Sequence, residues 1–445
     1  MSTPEESQES EKFHQESDKC HQESDKRHQE SDKCHQESEK SENYHQPQEP
    51  QISDDTIFVS IASYRDPECN NTLIDLFMKA KHPERVHVGI CQQNAPGDAD
   101  CLDEVLEPFA DNIRVVRLSH FDAQGPMYAR AIIEQSLYYG EMFYLQIDSH
   151  MLFVQDWDDI CIRQLAMCPS ERPILTTYPN DFDRVTRRHV LLPNGLKKPI
   201  GVVPPTFIRF REFHERLGFV EQEKENFQVE PQQPQPSLFW AAGFSFTLGE
   251  LISEVPYDPN CPFLFVGEEM GLSMRYFTHG WDFFAPGVNI VYHLMKRTYR
   301  NTFWEQVYQK NCVVDDSTRM ERKHREAFAV QRTRELVSGT LSPSDPYGLG
   351  LVRTIRDWED YTGVSIHNKV ASSRSYAGLS NVATPMEIFV KNIARNGRVG
   401  GRQQLPVNPQ RLSKSRAIHN SGSGSRGNQT HRRKPPPFFA NKQDV

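Results

Sequence analysis

The feature that most constrains the fold is a regular alternation of two kinds of segment between residues 56 and 147. Short apolar runs rich in Val, Ile and Phe alternate with segments whose apolar residues have helical spacing. The runs lack polar residues at every second position, which is typical of parallel strands buried on both faces. Strand and helix in turn predict βαβ units in a three-layer α/β domain. In chain order, the alternating segments are residues 56–62, 72–81, 85–91, 102–109, 113–118, 126–139 and 142–147.

The pattern loosens after residue 169. Proline-rich breaks occur at Pro204–Pro205 and at residues 228–237, and the second break predicts a flexible loop. We expect this half of the chain to complete the sheet and to shape an acceptor site.

The two ends of the chain differ from the middle in charge. Residues 1–55 carry 16 acidic and 6 basic side chains, and residues 391–445 carry 1 acidic and 12 basic. Four seven-residue repeats, HQESDKC and its variants, run through residues 14–41. They have no apolar seam for a coiled coil, which predicts a disordered tail. The predicted organisation is therefore a disordered acidic tail (1–55), a catalytic domain (56–390) and a disordered basic tail (391–445).

Cysteine usage and hydropathy bear on the compartment. The nine cysteines form no C-x-x-C pair, which favours reduced thiols over a secreted disulfide framework. No run of about 18 apolar residues occurs, and the first fifty residues lack a signal pattern. These observations predict a cytoplasmic protein with no membrane partner. Only the basic tail suggests nucleic acid or nuclear import, and we expect no nucleic-acid partner.

A candidate metal site follows the last of these strands. Asp148-Ser149-His150 stands at its carboxyl end, where ligands of open α/β sheets bind. An Asp and a His two residues apart can both face one cation across a tight turn. Mn²⁺, favoured by the His, or Mg²⁺ would neutralise the charge of a leaving diphosphate. Alternatively, Asp148 caps the next helix.

The surrounding residues resemble a known family. Gly125-x-x-x-Ala-Arg130, followed by a helix, a strand, the D-S-H and Trp157, resembles the core of the polypeptide N-acetylgalactosaminyltransferases. The resemblance implies that Arg130 contacts the nucleotide-sugar and that Asp148 and His150 are metal ligands. The competing interpretation of Arg130 is a surface salt bridge on a helix.

Further segments continue this resemblance in the same order. Val266-Gly267-Glu268-Glu269 is similar to the family's G-E-N segment, which implies a catalytic role for Glu268 and, where the family has Asn, a less defined one for Glu269. Two Glu also suit the first turn of a helix. The strand-like run ending in His293 implies the third metal ligand, although a lone His is often structural. Arg297, with Tyr299 and Arg300, falls in the region that closes over the diphosphate in such enzymes.

The first two strands offer candidates for nucleotide binding. The family resemblance implies the GT-A fold of nucleotide-sugar transferases, in which the loop after the first strand holds uracil and ribose. Ser60, Tyr64 and Arg65 are therefore candidates for nucleotide binding. The second strand ends at Gln93, where an amide could bind the uracil edge. Small residues among aromatics at 239–245 allow close approach to a sugar, and a buried strand explains them equally well.

Together, the runs IFVSIASYRD, QIDSH, FVGEE and YHL resemble the cytoplasmic N-acetylglucosaminyltransferases that modify a hydroxyproline. The resemblance implies a GT-A-type, Rossmann-like domain that retains configuration while moving GlcNAc from UDP-GlcNAc to a protein hydroxyl. The implied acceptor is the F-box-binding adaptor of cullin-type ubiquitin ligases. Mucin-type enzymes add a membrane anchor and a lectin domain, and we expect neither in this protein. The alternatives are transfer of another sugar such as GalNAc to Ser/Thr, and a non-catalytic adaptor with the same fold.

Overall fold

The computed structural model describes residues 55–189, 203–308 and 316–378. The repeats, the basic tail and all but the last residue of the acidic tail lie outside the described residues, and the proposed domain boundaries stay predictions. Among the helices of the described ranges, none combines the length and the apolar character that a membrane crossing requires.

The strands form one large sheet and three small ones. The strands are β1 (Ile57–Tyr64), β2 (Val86–Asn94), β3 (Ile113–Ser119), β4 (Phe143–Asp148), β5 (Met151–Phe153), β6 (Pro173–Thr176), β7 (Asn180–Asp183), β8 (Arg188–His189), β9 (Thr206–Phe213), β10 (Val220–Asn226), β11 (Gln235–Pro236), β12 (Phe244–Leu248), β13 (Asp282–Ala285), β14 (Val291–His293), β15 (Val364–Ser365) and β16 (Val370–Ala371). The eight-stranded sheet has the order β11-β13-β6-β12-β4-β1-β2-β3, and a four-stranded sheet has the order β5-β14-β7-β8. The pairs β9–β10 and β15–β16 complete the strand inventory.

The α-helices are α1 (Glu68–Lys79), α2 (Pro126–Leu137), α3 (Trp157–Ala166), α4 (Glu250–Glu254), α5 (Glu268–Thr278), α6 (Phe303–Tyr308), α7 (Asp316–Ser338), α8 (Ile355–Thr362) and α9 (Ser373–Ala377). Their starts follow local sequence signals. Pro126 occupies the first turn of α2, where its missing N–H is not needed. Gly267, with φ of +114°, precedes α5 in a conformation that favours glycine.

The large sheet separates two hydrophobic cores. On one face, Phe58 of β1 and Tyr144 of β4 pack with residues of α2, α5 and α8. On the other, Val59 and Leu145 pack with residues of α1 and α3. Because successive side chains of a strand point to opposite faces, the apolar residues of β1 and β4 contribute to both cores. The predicted three-layer α/β fold is confirmed.

The strand pairings show which part of the large sheet is parallel and which is antiparallel. β1 pairs in parallel with β2 and β4, and β2 pairs in parallel with β3, as expected from the βαβ pattern. β12 is antiparallel to both β4 and β6, so the second half completes a mixed sheet. The loop predicted at residues 228–237 contains β11, which pairs with β13.

One predicted helix is wrong in type. Instead of an α-helix at residues 102–109, the chain forms a 3-10 helix at Glu104–Asn112 that contains Pro108. Proline in a helix interior removes one hydrogen bond and its ring clashes with the carbonyl four residues earlier, so a regular α-helix is disfavoured through Pro108. Of the nine cysteines, six lie within the described residues, and all six are buried free thiols.

The buried carboxyl group of Glu134 in α2 gives the fold a pH dependence. Tyr144 Oη lies 3.2 Å from both Glu134 Oε1 and Gln146 Oε1. A phenol has one proton to donate, so a protonated Glu134 completes this chain by donating to Tyr144. Burial raises the pKa of Glu134 from 4.5 to about 8.

We therefore expect stability to fall as pH rises from 4.5 to about 8. The folded state holds a proton there that the unfolded state has lost, at up to about 1.4 kcal/mol per pH unit. Glu134→Gln, which carries a donor at every pH, should flatten this part of the profile in urea denaturation at several pH values. An equally steep profile in the variant would exclude Glu134 as its source.

Candidate functional site

The centre of the site is the turn between β4 and β5. Asp148 ends β4, Ser149 and His150 form the turn, and β5 begins at Met151. Asp148 therefore does not cap a helix, because a second strand follows it, and the capping alternative is wrong. β14 pairs antiparallel with β5 so that His293 stands opposite Met151, and Leu294 N donates to His150 O (3.1 Å).

This pairing gathers the three predicted metal ligands. One ligand atom from each of Asp148, His150 and His293 lies within 4.8 Å of the others. The two imidazole rings have centroids 4.7 Å apart. Residues 145 positions apart in the chain thus meet because a short strand leaves the turn and pairs with β14.

The partners of His150 orient its ring. Its Nδ1 lies 2.8 Å from Asp66 Oδ2, and its Nε2 is buried with no hydrogen-bond partner among the described residues. Burial by itself would raise the pKa of Asp66, but the hydrogen bond from His150 and the charge of Arg300 hold it well below its ordinary value. The ionised carboxylate accepts from Nδ1–H, which leaves the Nε2 lone pair for a cation.

Asp148 and His293 are in direct contact. His293 Nε2 lies 3.1 Å from Asp148 Oδ2. Burial opposes ionisation of Asp148, but the hydrogen bond with His293 and the charge of Arg130 keep its pKa well below the ordinary value. Burial lowers the pKa of His293, which favours the neutral imidazole. An ionised carboxylate and neutral imidazoles are the forms that bind metals.

This donor set fits a divalent cation. It offers one carboxylate and two imidazoles, and the orphaned, buried His150 Nε2 has no other partner among the residues described. Carboxylate and imidazole together suit Mn²⁺ or another first-row ion, and the carboxylate also suits Mg²⁺.

Arg130 links the cluster to α5. Its side chain is 4% exposed, so the interpretation as a surface salt bridge is wrong. Arg130 Nη2 donates to Asp148 Oδ1 (3.1 Å), and Nη1 donates to Glu268 Oε1. Tyr257 Oη also donates to Glu268 Oε1 (3.0 Å). Burial raises the pKa of Glu268 even though Arg130 and Tyr257 favour its charged form.

Glu269 faces a different set of partners. Its Oε1 accepts from the backbone N of Ala242 (3.0 Å), and its Oε2 accepts from the hydroxyl of Tyr178. Burial raises the pKa of Glu269 to about 7. Glu269 therefore ties α5 to the loop before β12, while the neighbouring Glu268 faces Arg130. That loop, Leu238–Ala242, is buried and precedes the strand that begins at Phe244.

The nucleotide-binding candidates lie along β1 and β2. Tyr64 and Gln93 are paired in register at the carboxyl ends of these strands, and Ala62 is in register with Asp148. Tyr64 Oη donates to Gln306 Oε1 (2.6 Å) and Arg65 forms a bidentate pair with Asp98 (2.7 and 3.0 Å). The sheet therefore places these residues at the same edge as the cluster of Asp148, His150 and His293.

One buried oxygen near this edge lacks a partner. Gln93 Oε1 has no hydrogen-bond partner among the described residues, while Gln93 Nε2 donates to Ser63 O (3.3 Å). The hydroxyl of Ser60 is buried next to that of Tyr144. Ser60 is in register with Gln146, two positions before Asp148, so it lies deeper in the sheet. The guanidinium of Arg297 has no carboxylate partner in the described part of the chain, and its charge contributes to lowering the pKa of His293, which burial dominates.

The sequence did not single out three of these partners. Asp66, Tyr178 and Tyr257 gain their roles from contacts with residues 84, 91 and 11 positions away. Asp66 alone had a signal, since it is an acidic residue two positions after a strand end. Neither tyrosine stands in a recognisable pattern.

Comparison with models of known protein families identifies the family of the chain. The family model described as "Glycosyltransferase (GlcNAc)" matches residues 56–110 and 104–368. The chain therefore belongs to this glycosyltransferase family. No curated protein matches the sequence.

Solved structures of transferases are similar at low identity. A crystal structure of GalNAc-T7 with UDP, GalNAc and Mn²⁺ is 14% identical over 77% of this chain and 57% of that chain, with a TM-score of 0.44. The present chain thus spans little more than half of that chain. S. aureus TarS 1-349 is 12% identical over 69% and 79% of the two chains (TM-score 0.34). The mannosyltransferase PcManGT from Pyrobaculum calidifontis, in complex with GDP-Man and Mn²⁺, is 10% identical over 66% and 77% (TM-score 0.35).

The Arg130–Glu268 pair gives a test of the site's electrostatics. Both side chains are 4% exposed, so removing one partner leaves the other charge buried and unpaired. We expect Arg130→Met to destabilise the protein by about 3–5 kcal/mol in urea denaturation. Arg130→Met combined with Glu268→Gln should recover part of this loss. A double variant as unstable as the sum of the two single variants would contradict the direct coupling.

Proposed function

We propose that the protein is a retaining, metal-dependent transferase that moves GlcNAc from UDP-GlcNAc to a protein hydroxyl. The observation that carries the proposal is the convergence of Asp148, His150 and His293 at a strand end, beside the buried Arg130–Glu268 pair. The family description supports GlcNAc as the transferred sugar. The proposed metal is Mn²⁺ or Mg²⁺.

The three ligands would hold the cation at the edge where the nucleotide binds. When bound, the ion supplies positive charge that offsets the negative charge developing on the leaving UDP. Arg130 holds Asp148 by its Oδ1, while Asp148 Oδ2 lies beside His293. Arg297 adds a second positive charge close to the cluster and is proposed to contact the diphosphate.

Glu268 is proposed to position the reacting sugar and the acceptor. Both of its protein donors, Arg130 and Tyr257, reach Oε1. Among the described residues none donates to Oε2, so this oxygen can accept from a substrate hydroxyl. A carboxylate fixed by a buried cation loses little freedom when it accepts that bond, which is the advantage of a preorganised site.

Ser60, Tyr64, Arg65 and Gln93 are proposed to hold the nucleoside. The free Oε1 of Gln93 is an acceptor for the N–H of uracil. Tyr64 and Arg65 would exchange their present partners, Gln306 and Asp98, for the base or ribose. Glu269 would act indirectly, by holding the loop at Ala242 against α5.

The proposed acceptor is a hydroxyproline on the F-box-binding adaptor of cullin-type ubiquitin ligases, and the proposed compartment is the cytoplasm. Both rest on the sequence resemblance of the first strand, the D-S-H turn, the Glu268 segment and the His293 strand. The six free, buried cysteines agree with a reducing compartment.

The test is UDP release by the full chain with UDP-GlcNAc, UDP-GalNAc, UDP-Gal and UDP-Glc, with and without Mn²⁺. We expect metal-dependent release from UDP-GlcNAc above the other donors, and a further increase with a hydroxyproline peptide over the matching proline peptide. Asp148→Ala should reduce release by about 100-fold or more, because charge stabilisation of the leaving group is lost. Its circular dichroism spectrum should match that of the wild type.

Other outcomes would separate the parts of this proposal. Preference for UDP-GalNAc would contradict the sugar while leaving the metal-dependent transfer in place. Full activity of Asp148→Ala would contradict the metal role. No UDP release and no UDP binding by calorimetry would favour a non-catalytic protein of the same fold.

A further inference from the structure

A buried carboxylate outside the proposed chemistry, that of Asp66, joins two parts of the site. Asp66 directly follows Tyr64-Arg65 at the end of β1, and its side chain is 0% exposed. It contacts groups from three separate stretches of the chain. Its partners are Ser149 Oγ (2.8 Å), His150 Nδ1 (2.8 Å), Arg300 Nη2 (2.8 Å), Tyr299 Oη (3.0 Å) and Glu68 N (3.0 Å).

One group of these contacts fixes a metal ligand. Ser149 and His150 both donate to Asp66 Oδ2. Because a carboxylate accepts and does not donate, the proton of neutral His150 must sit on Nδ1. The other ring nitrogen, the buried and unpartnered Nε2, is then the one that faces the cluster. A carboxylate behind a ligating imidazole fixes its tautomer and orientation.

The other group of contacts holds the segment that follows the third ligand. Tyr299 and Arg300 lie six and seven residues after His293 and reach the two oxygens of the same carboxylate. Arg300 Nη1 also donates to Tyr64 O (3.2 Å). Asp66 thus ties the segment to the strand end that carries the nucleotide-binding candidates.

A second carboxylate, that of Glu68 at the start of α1, also contacts residues around Tyr299. Glu68 accepts from Arg184 Nε (2.7 Å) and Arg187 Nη1 (3.1 Å). The guanidinium of Arg184 lies 4.3 Å from the ring centre of Tyr299. The ring of Tyr299 is therefore held by Arg184 and its hydroxyl by Asp66, so the two contacts can be removed separately.

We propose that Asp66 is a positioning residue that couples the metal ligand His150 to the segment carrying Tyr299 and Arg300. This inference rests on the proposed function, since it assumes that the three-ligand cluster binds a divalent cation. Metal binding fixes the His150 ring, the fixed ring holds the Asp66 carboxylate, and the carboxylate holds the segment against the end of β1. By linkage, contact of the segment with Asp66 tightens metal binding to the same extent.

The experiment compares the full chain with Asp66→Asn, Tyr299→Phe and the control Asp158→Asn. Asparagine keeps the size of Asp66 but replaces one acceptor oxygen with a donor. Phenylalanine keeps the ring under Arg184 and removes only the hydroxyl. Asp158 is likewise buried, and it accepts from the backbone N–H groups of Lys81 and His82 rather than from the site.

Two quantities are measured without turnover. Mn²⁺ affinity is followed by the electron paramagnetic resonance signal of the free ion, and hydrogen–deuterium exchange is followed in the peptide 294–302, with and without Mn²⁺. We expect Asp66→Asn to weaken Mn²⁺ binding about 10- to 100-fold. In this variant saturating Mn²⁺ should no longer slow exchange in the peptide, whereas in the wild type and in Asp158→Asn it should.

Tyr299→Phe separates coupling from a loss of folding. It should weaken Mn²⁺ binding less than Asp66→Asn does, and it should reduce the protection that Mn²⁺ gives the peptide. Wild-type affinity and protection in both site variants would overturn the inference while leaving the proposed function in place. A wild-type chain that binds no Mn²⁺ would overturn both.

Discussion

The guanidinium of Arg130 is the group on which the geometry of the site depends. It lies in α2, yet it donates to Asp148 at the end of β4 and to Glu268 at the start of α5. Three elements from different regions of the chain therefore share one buried cation. Without it, the buried carboxylate of Glu268 would lose its cation, and burial of such a charge is costly unless it is paired. Together with the hydrogen bond from His293, the same cation lowers the pKa of Asp148 and favours the ionised form that a metal requires.

The surroundings divide the acidic residues into two sets. Asp66 and Asp148 have hydrogen bonds from histidines and positive charges beside them, which hold the pKa of each below its ordinary value. Burial dominates at Glu268 and Glu269, and the pKa of each is raised. Environments that push carboxyl pKa values apart are a feature of sites that use carboxylates in different roles. Here the ionised pair surrounds the histidines, and the glutamates begin the helix beyond them.

Much of the framework was predictable because it depends on short-range patterns. The four apolar runs became β1 to β4 within three residues of their predicted ends, since runs rich in Val, Ile and Phe favour the strands of a sheet covered by helices. The position of Asp148 at a strand end and of Glu268 at a helix start followed in the same way. The turn at Pro108 was predictable in position but not in type, because proline and apolar spacing favoured different helices.

What could not be predicted depends on pairings between distant segments. The antiparallel pairing of β5 with β14, which brings His293 to His150, involves a strand of three residues with no signal of its own. The burial of Arg130 depends on α5 covering it, so the residue alone could not show whether it was at the surface. The sequence places Asp66 in a loop, and its role depends on the segment after β14, which folds back onto it.

The central claim is that Asp148, His150 and His293 hold one divalent cation at the edge of the sheet where β1, β2 and β4 end. The most direct measurement is anomalous X-ray diffraction at the manganese edge from crystals grown with Mn²⁺ and UDP. The account predicts one strong peak within coordination distance of the carboxylate of Asp148, Nε2 of His150 and a ring nitrogen of His293, with diphosphate oxygens completing the shell. A diphosphate bound with no peak there, or with the peak at other residues, would contradict it.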